Sequence, residues 1–354
     1  MTASLQPDGQ NDSVPPPRHS IYEASSQYRH WRFSPEQLEH MREALNGAAV
    51  SAIRDAFEAD SPGSSANVSF LTAHEEHLLV KLYAGKISQL CGHFRFPEEV
   101  EATAVAYLKR FYLKNTVMDW HPKNVMLTAL FLATKTTNHP ISLESYASHI
   151  PRTAPSDVLD LEFLVAQSLG FDFAVWHSHR ALWGIWLDMQ TLPDISLDDL
   201  GRAYEDAAKH ARAARLTDAE FVYTPSQIAL ACFSLASPTL ASAWAHAKFS
   251  AAPTPPIAVE AIQTIILQDG SPPDVEAVRE VDRRLRLCKN PEKVVGSNAY
   301  NKKMQEKERK ADEKRKRKAD AARLAMEDGD PFGSELGKKA IEEDLDDDDD
   351  DDDD

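Results

Sequence analysis

Apolar residues recur along this chain at intervals of three and four, and no stretch alternates long enough to make a strand. Leu38, Met41, Leu45, Ala49 and Phe57 form the first such series, and Ser34-Pro35-Glu36-Gln37 opens it. A capping serine, a proline at the first helical position and a glutamine three residues after the serine are helix-start chemistry. Thr72-Ala73-His74-Glu75 repeats the signal ahead of Leu78, Leu79, Leu82, Ile87 and Leu90. Pro97-Glu98-Glu99 opens a helix whose stripe is Val100, Ala104, Leu108 and Phe111, with carboxylates at its positive end. Pro122 starts one that is apolar on nearly every side through Val125-Met126-Leu127 and Leu130-Phe131-Leu132, so neighbours must bury it. A short helix follows Ser142. A fifth starts at Pro155-Ser156-Asp157, carries Val158, Leu161, Leu164, Val165 and Leu169, and stops at Gly170.

A second group follows the same logic. Residues 177–191 carry Leu182, Ile185, Trp186 and Leu187; Ser196 caps a helix with Leu200, Tyr204, Ala207 and Ala211. Thr224-Pro225 opens a helix with Ile228, Ala231, Cys232 and Leu235. Pro253, Pro255 and Pro256 punctuate before a helix over Ile257 to Leu267, and a last one spans about Pro273 to Cys288. The pattern predicts an all-α protein of two tandem helical bundles flanked by N- and C-terminal helices. Its expected parts are a disordered segment 1–19, an N-terminal segment and helix 20–58, bundles at 70–175 and 176–270, a C-terminal helix 271–290, and a charged, largely disordered tail 291–354.

Charge changes this picture only at the end of the chain. The formal net charge is −17, but residues 342–354 hold twelve acidic and no basic side chains, which leaves −5 for the rest. No basic domain points to nucleic acid as a direct ligand. Residues 302–323 hold 11 Lys or Arg against five Asp or Glu, a composition that suits a solvated helix without a buried face. Lys314, Arg315, Lys316, Arg317 and Lys318 lie inside it and read either as a nuclear import signal or as a solvated linker. Cys91, Cys232 and Cys288 are far apart, which fits neither a thiolate zinc module nor a disulfide framework. No apolar run reaches the ~18 residues of a membrane span.

Catalytic chemistry is not in evidence. There is no glycine-rich phosphate loop and no Gly-x-Ser-x-Gly, and neither a cofactor nor a metal is expected. His74 and His77 share helical spacing without a third ligand and read as exposed helix residues; His177 and His179 read as structural residues pointing to different sides. Cys91 and Cys232 fall on apolar faces as inert core thiols. Two charges stand out by position. Lys135 ends the most apolar helix of the first bundle, in Leu132-Ala133-Thr134-Lys135, and Glu162 sits in Leu161-Glu162-Phe163-Leu164-Val165, the most apolar part of the fifth helix. A charge there must reach solvent, pair, or meet a partner.

Several segments resemble one family. Ala106-Tyr107-Leu108-Lys109-Arg110-Phe111-Tyr112-Leu113 resembles the second helix of the cyclin box, Phe131 to Lys135 the end of its third, and Leu161 to Phe171 its fifth. Ser25-Ser26-Gln27-Tyr28-Arg29-His30-Trp31, Phe70 to Glu76, Val117 to Pro122 and Arg286-Leu287-Cys288 narrow the resemblance to the cyclin H family, of fungal type by the divergent tails. It is good over about residues 21–193 and weaker to Asn290. It implies two cyclin boxes of five helices each. It also implies a non-catalytic subunit that activates a cyclin-dependent protein kinase, acting on other such kinases and on the C-terminal domain of RNA polymerase II. A RING-containing assembly factor, the core of general transcription factor IIH and a nuclear location are implied with it. By the same resemblance Lys135 and Glu162 bind the kinase, with Leu132, Phe171 and Phe173 packing around them. Tyr28 and Trp31 are candidates to anchor the N-terminal helix, either in the core or on a partner. The helices near Pro35 to Phe57 and Pro273 to Cys288 would then lie beside the first box.

This chain departs from the cyclin pattern at Thr136-Thr137-Asn138, where an acidic pair is usual, and lacks the Met-Arg-x-x-Leu-x-x-Trp substrate-docking patch. Two alternatives share parts of the pattern: a C-type cyclin of the Mediator complex, and a DNA-binding protein of the transcription factor IIB type.

Overall fold

The computed structural model describes residues 20–193, 195–249 and 256–327. The expectations for residues 1–19, for Pro253 and Pro255 and for the acidic run 342–354 lie outside the described residues. Within them every regular element is helical. The N-terminal segment forms α1 (Ser26–His30) and α2 (Pro35–Asp60). The first bundle holds α3 (Ala73–Phe94), α4 (Glu98–Phe111), α5 (Pro122–Thr136), α6 (Leu143–Ser148), α7 (Ser156–Leu159) and α8 (Glu162–Ser168). The second holds α9 (Ser178–Met189), α10 (Leu197–Ala214), α11 (Ala219–Val222), α12 (Pro225–Ala236), α13 (Pro238–Phe249) and α14 (Pro256–Asp269). Then follow α15 (Val275–Leu285) and α16 (Asn298–Glu327).

Helix starts follow the capping chemistry. Thr72 and Glu75 exchange side-chain and backbone bonds in a reciprocal box, as do Thr224 and Gln227, and Ser34 with Gln37. Each box satisfies two amides that the first turn leaves without helical partners. In the first bundle α5 is the central helix, with Val125, Leu127, Ala129, Leu130 and Ala133 buried among α3, α4 and α8. In the second, α12 has that place, burying Ile228, Ala231, Cys232 and Phe233 against α9, α10 and α14.

The bundles differ from the sequence expectation in the fifth helix and in the unanticipated α11 and α13. The fifth helix breaks at Asp160-Leu161 into α7 and α8, so Glu162 opens a helix rather than sitting inside one. α13 was not anticipated, because its amphipathic pattern is the faintest of the second bundle.

Residues 20–53 with 67–289 form one compact body, and 54–66 with 290 onward a second. In the first body polar contacts join the two bundles. Arg215, at the end of α10, donates to Glu98 and to Glu101 (3.2 Å) on α4. Arg180 donates to Glu99 (2.6 Å), and buried Lys109 to the carbonyls of Arg215 (3.2 Å) and Thr217 (2.5 Å) and to Glu220 (2.5 Å). Burial alone would raise the Glu98 carboxyl; the Arg215 guanidinium overrides it and holds it below its ordinary value. His177 bonds Thr103 (2.9 Å) and stacks on His179, ring centroids 5.0 Å apart. The two imidazoles therefore share a side, because the backbone at His177 is extended while His179 is already helical. Burial, with Arg215 close by, pushes His179 down to about 4.

α15 packs on α3 through Val278, Val281 and Leu285, and Arg284 forks onto Glu75. α2 is fastened by Arg42 on Asp218 (2.6 and 2.8 Å) and by Asn46 on Glu76 (2.6 Å). His77, expected to be exposed, is half-buried; burial and then Arg42 push it down to about 4. Trp31 is buried with Leu38, Leu113 and Phe221, and Arg110 and Lys114 lie 5.0 and 5.1 Å from its ring. It anchors the N-terminal segment internally, while Tyr28 stays partly exposed against Tyr22.

In the second body Ser297 caps α16 by accepting from the Tyr300 amide (3.0 Å), and Asp60 accepts from Ala299 (2.9 Å). Residues 298–327 are helical, the solvated helix that the composition of 302–323 suits. Strong helix formers and pairs such as Arg309–Glu313 at 3.0 Å sustain the helix, and among the side chains described on its surface there is no apolar stripe.

Candidate functional site

The two misplaced charges find each other. Lys135 stands in the last turn of α5 and Glu162 at the first position of α8, with Nζ 2.5 Å from the carboxylate. A cation at a helix C-terminus and an anion at a helix N-terminus each oppose the local end charge, so both helices favour the arrangement. The lysine side chain is 42 % exposed and the glutamate 19 %. Lys135 Nζ also lies 4.5 Å from the Phe131 ring centroid. The pair is therefore a rim feature, desolvated on one side and open on the other.

The C-termini of α5 and α8 are closed by the same backbone device. At α8 the Gly170 amide donates to Gln167 (2.7 Å) and the Phe171 amide to Ala166 (3.0 Å), with Gly170 at φ 62°. At α5 the Asn138 amide donates to Lys135 (3.4 Å) and the His139 amide to Thr134 (2.8 Å), with Asn138 at φ 61°. This paired closure satisfies end carbonyls and turns the chain sharply. Phe171 also takes a left-handed φ of 57°, a conformation that costs a side-chain-bearing residue on the order of 1–3 kcal/mol. Phe171 is 55 % exposed there.

Around the pair lies an aromatic surface. Phe171 meets Phe163 and Phe173 edge-on, each at 6.2 Å, and Phe163 is 70 % exposed. Phe163 was not singled out from the sequence. Its signal was an aromatic ring beside Glu162, legible only once the helix break at Leu161 turned that ring outward. Phe173 is half-buried; its carbonyl accepts from the Tyr107 hydroxyl at 2.7 Å, and Thr136 shares that hydroxyl at 2.9 Å. Burial raises the Tyr107 hydroxyl to about 12, so it stays a donor. Leu132 does not belong to this surface. It is 5 % exposed and fills the core beneath Lys135, because it lies on the inward side of α5.

Thr136 and Thr137 turn their hydroxyls onto the carbonyls of Leu132 (3.2 Å) and Ala133 (2.7 Å). They offer no charge where an acidic pair was usual. Lys314 to Lys318 lie exposed on α16. No group of three or more His, Cys, Asp or Glu side chains is placed to hold a metal among the described residues. The three cysteines are buried, and burial raises Cys91 and Cys232 to about 12 and Cys288 to about 11.

Residues 74–174 match the family model of the cyclin N-terminal domain, and 177–269 that of the cyclin C-terminal domain. Two tandem helical bundles with this match define a cyclin. The chain is 31 % identical over 291 residues to Cyclin mcs2 of Schizosaccharomyces pombe, covering 80 % of this chain and 90 % of that one. It is 34 % identical over 241 residues to Cyclin CCL1 of Saccharomyces cerevisiae, covering 65 % and 61 %. Its fold matches a chain of the CAK complex of Chaetomium thermophilum bound to ATP-gamma-S, with TM-score 0.72, 30 % identity, and 81 % and 94 % of the two chains covered. A chain of the yeast TFIIK complex matches with TM-score 0.59 and 31 % identity, covering 69 % of this chain and all of that one. The chain belongs to the cyclin H family.

Proposed function

We propose that this chain is the non-catalytic cyclin that binds and activates a cyclin-dependent kinase of the CDK-activating type. That kinase phosphorylates the C-terminal domain of RNA polymerase II and other cyclin-dependent kinases. The observation that carries the site assignment is the half-open Lys135–Glu162 pair set in exposed Phe163 and Phe171. An aromatic patch with a charge pair at its rim is the anatomy of a protein-binding surface. Its rigid backing, two helix ends closed by hydrogen bonds, lets it bind without losing much entropy.

Activation follows from differential binding. A kinase is active when its mobile helix sits inward, with that helix's glutamate paired to the strand lysine. A rigid surface that fits only the inward state shifts the population. Moving it from 1:99 to 99:1 takes about 5.5 kcal/mol of differential affinity. An interface on the order of 1,600 Å² is large enough to supply that. The proposed frame is a first box over 70–175 carrying the kinase face, a second over 176–270, and helices 20–58 and 271–290 bracing them.

The full assembly includes a RING-containing assembly factor and the core of transcription factor IIH, in the nucleus; resemblance to the TFIIK and CAK chains supports this. Mass spectrometry of what co-purifies with the native chain tests the assignment. A CDK-activating kinase with a RING-containing subunit is expected. Recovery of a Mediator kinase instead would move the chain to the C-type cyclins.

A further inference from the structure

The kinase face leaves α16 unused, and this helix carries a one-signed stripe. Lys303, Lys307, Lys310, Lys314 and Arg317 follow at intervals of four, three, four and three residues. At 3.6 residues per turn all five fall within about 100° of the helix surface, with Lys318 at the edge. No acidic residue falls inside that arc; Glu306 borders it on the side away from Lys318, with Glu313 just beyond, while Glu308 and Asp312 lie on the opposite side, where Arg315 approaches Asp312 at 3.7 Å. Lys303 is half-buried and bridged to Glu292 at 3.1 Å, and the stripe is exposed from Lys307 onward. At 1.5 Å rise per residue it runs about 21 Å.

The chain's own C-terminus carries the complement. Asp346 to Asp354 is an unbroken aspartate run, preceded by Glu342, Glu343 and Asp344. Extended at about 3.4 Å per residue, that aspartate run spans about 30 Å, enough to cover the stripe. Residues 328–341 separate the end of α16 from Glu342. They reach up to about 46 Å, whereas the way back from Glu327 to Arg317 is about 15 Å along the helix.

We infer that the basic stripe of α16 is the docking site of this chain's own acidic run 342–354. A tether of this length presents the run at a millimolar effective concentration. The attraction is spread over several charges, so it is salt-sensitive: the screening length falls from about 8 Å at 0.15 M to about 3 Å at 1 M. The docked run withholds the stripe from other polyanions, of which a nucleic-acid backbone is the commonest.

Carbodiimide coupling of the full chain, followed by peptide mass spectrometry of the monomer, tests this directly, because it joins a carboxylate only to an amine in contact with it. Asp346 to Asp354 are expected to couple to Lys307, Lys310 and Lys314, at least tenfold less in 1 M salt. Replacing Lys307, Lys310, Lys314 and Arg317 with Glu removes the coupling without moving the melting of the boxes. Deleting residues 342–354 tightens binding of a labelled DNA duplex at least tenfold at 0.1 M salt. Tail coupling only to a second copy, only to lysines off α16, or not at all overturns the proposal. Equal DNA affinity with and without the run overturns it as well, since the stripe would then be an open site or none.

Discussion

Exchanging the charges at positions 135 and 162 separates binding from packing. The Lys135–Glu162 pair is half open to solvent, and exposed pairs contribute about 0.2–1 kcal/mol. Lys135→Glu or Glu162→Lys alone removes that and sets like charges side by side, a loss of about 1 kcal/mol that lowers the melting temperature by a few degrees. The double exchange rebuilds the pair. It also places each charge against its helix end, at about 0.3–1 kcal/mol per site. All three variants should therefore stay folded. A kinase facing the pair sees something else: a reversed charge inside a desolvated interface costs several kcal/mol. Each 1.36 kcal/mol is tenfold, so activation should drop at least 100-fold in the singles and in the double. The assay is titration of the kinase with each variant, reading phosphate transfer, beside thermal melts by circular dichroism. If the double exchange activates like the unmodified chain, the pair only holds α5 to α8 and the contact assignment is wrong.

Three further outcomes follow from the same geometry. Arg215→Ala strips Glu98 and Glu101 of their shared cation at the junction of the boxes and should lower stability by about 2–4 kcal/mol in urea titration; a loss below 0.5 kcal/mol would show that the clamp is idle. Glu76→Ala orphans the Val117 amide and the Thr116 hydroxyl proton, leaves the Asn46 amide only its bond to the Leu71 carbonyl, and should cost at least ~2 kcal/mol by the same titration. His77 and His179 are each held down to about 4, against about 6.5 in the unfolded chain. Between those values the unfolded state binds more protons, so stability falls as pH drops from about 6.5 to about 4; His77→Gln with His179→Gln should make that part of a melting-temperature profile shallower, with the remaining slope coming in part from His177 and His121, which burial also holds down.

Much of this was legible in the sequence because helix starts are local chemistry. Thr72–Glu75 and Ser34–Gln37 announced their helices, and the all-round apolar run after Pro122 announced a central one. Lys135 and Glu162 stood out as charges among apolar neighbours. That they would pair with each other was not legible, since the pairing depends on the break at Leu161, where propensity shows no interruption. Phe163 was missed because the break resets the helix phase that sets a side chain's direction, whereas Leu132 lies on α5, whose nearly all-round apolar pattern does not show which face turns inward. Trp31 read equally well as core or contact, and only Phe221, 190 residues away, decides it. The clamp of Arg215 on Glu98 joins residues 117 apart, beyond the reach of any local pattern.

The role proposed for this chain is to switch a kinase on. Reconstitution tests it most directly: a purified CDK-activating kinase subunit is assayed on a polymerase C-terminal repeat peptide, alone and with the chain. Little transfer is expected from either component alone and at least 100-fold more from the two together, lost with Lys135→Glu. Equal transfer with and without the chain, or full transfer with Lys135→Glu, would contradict it.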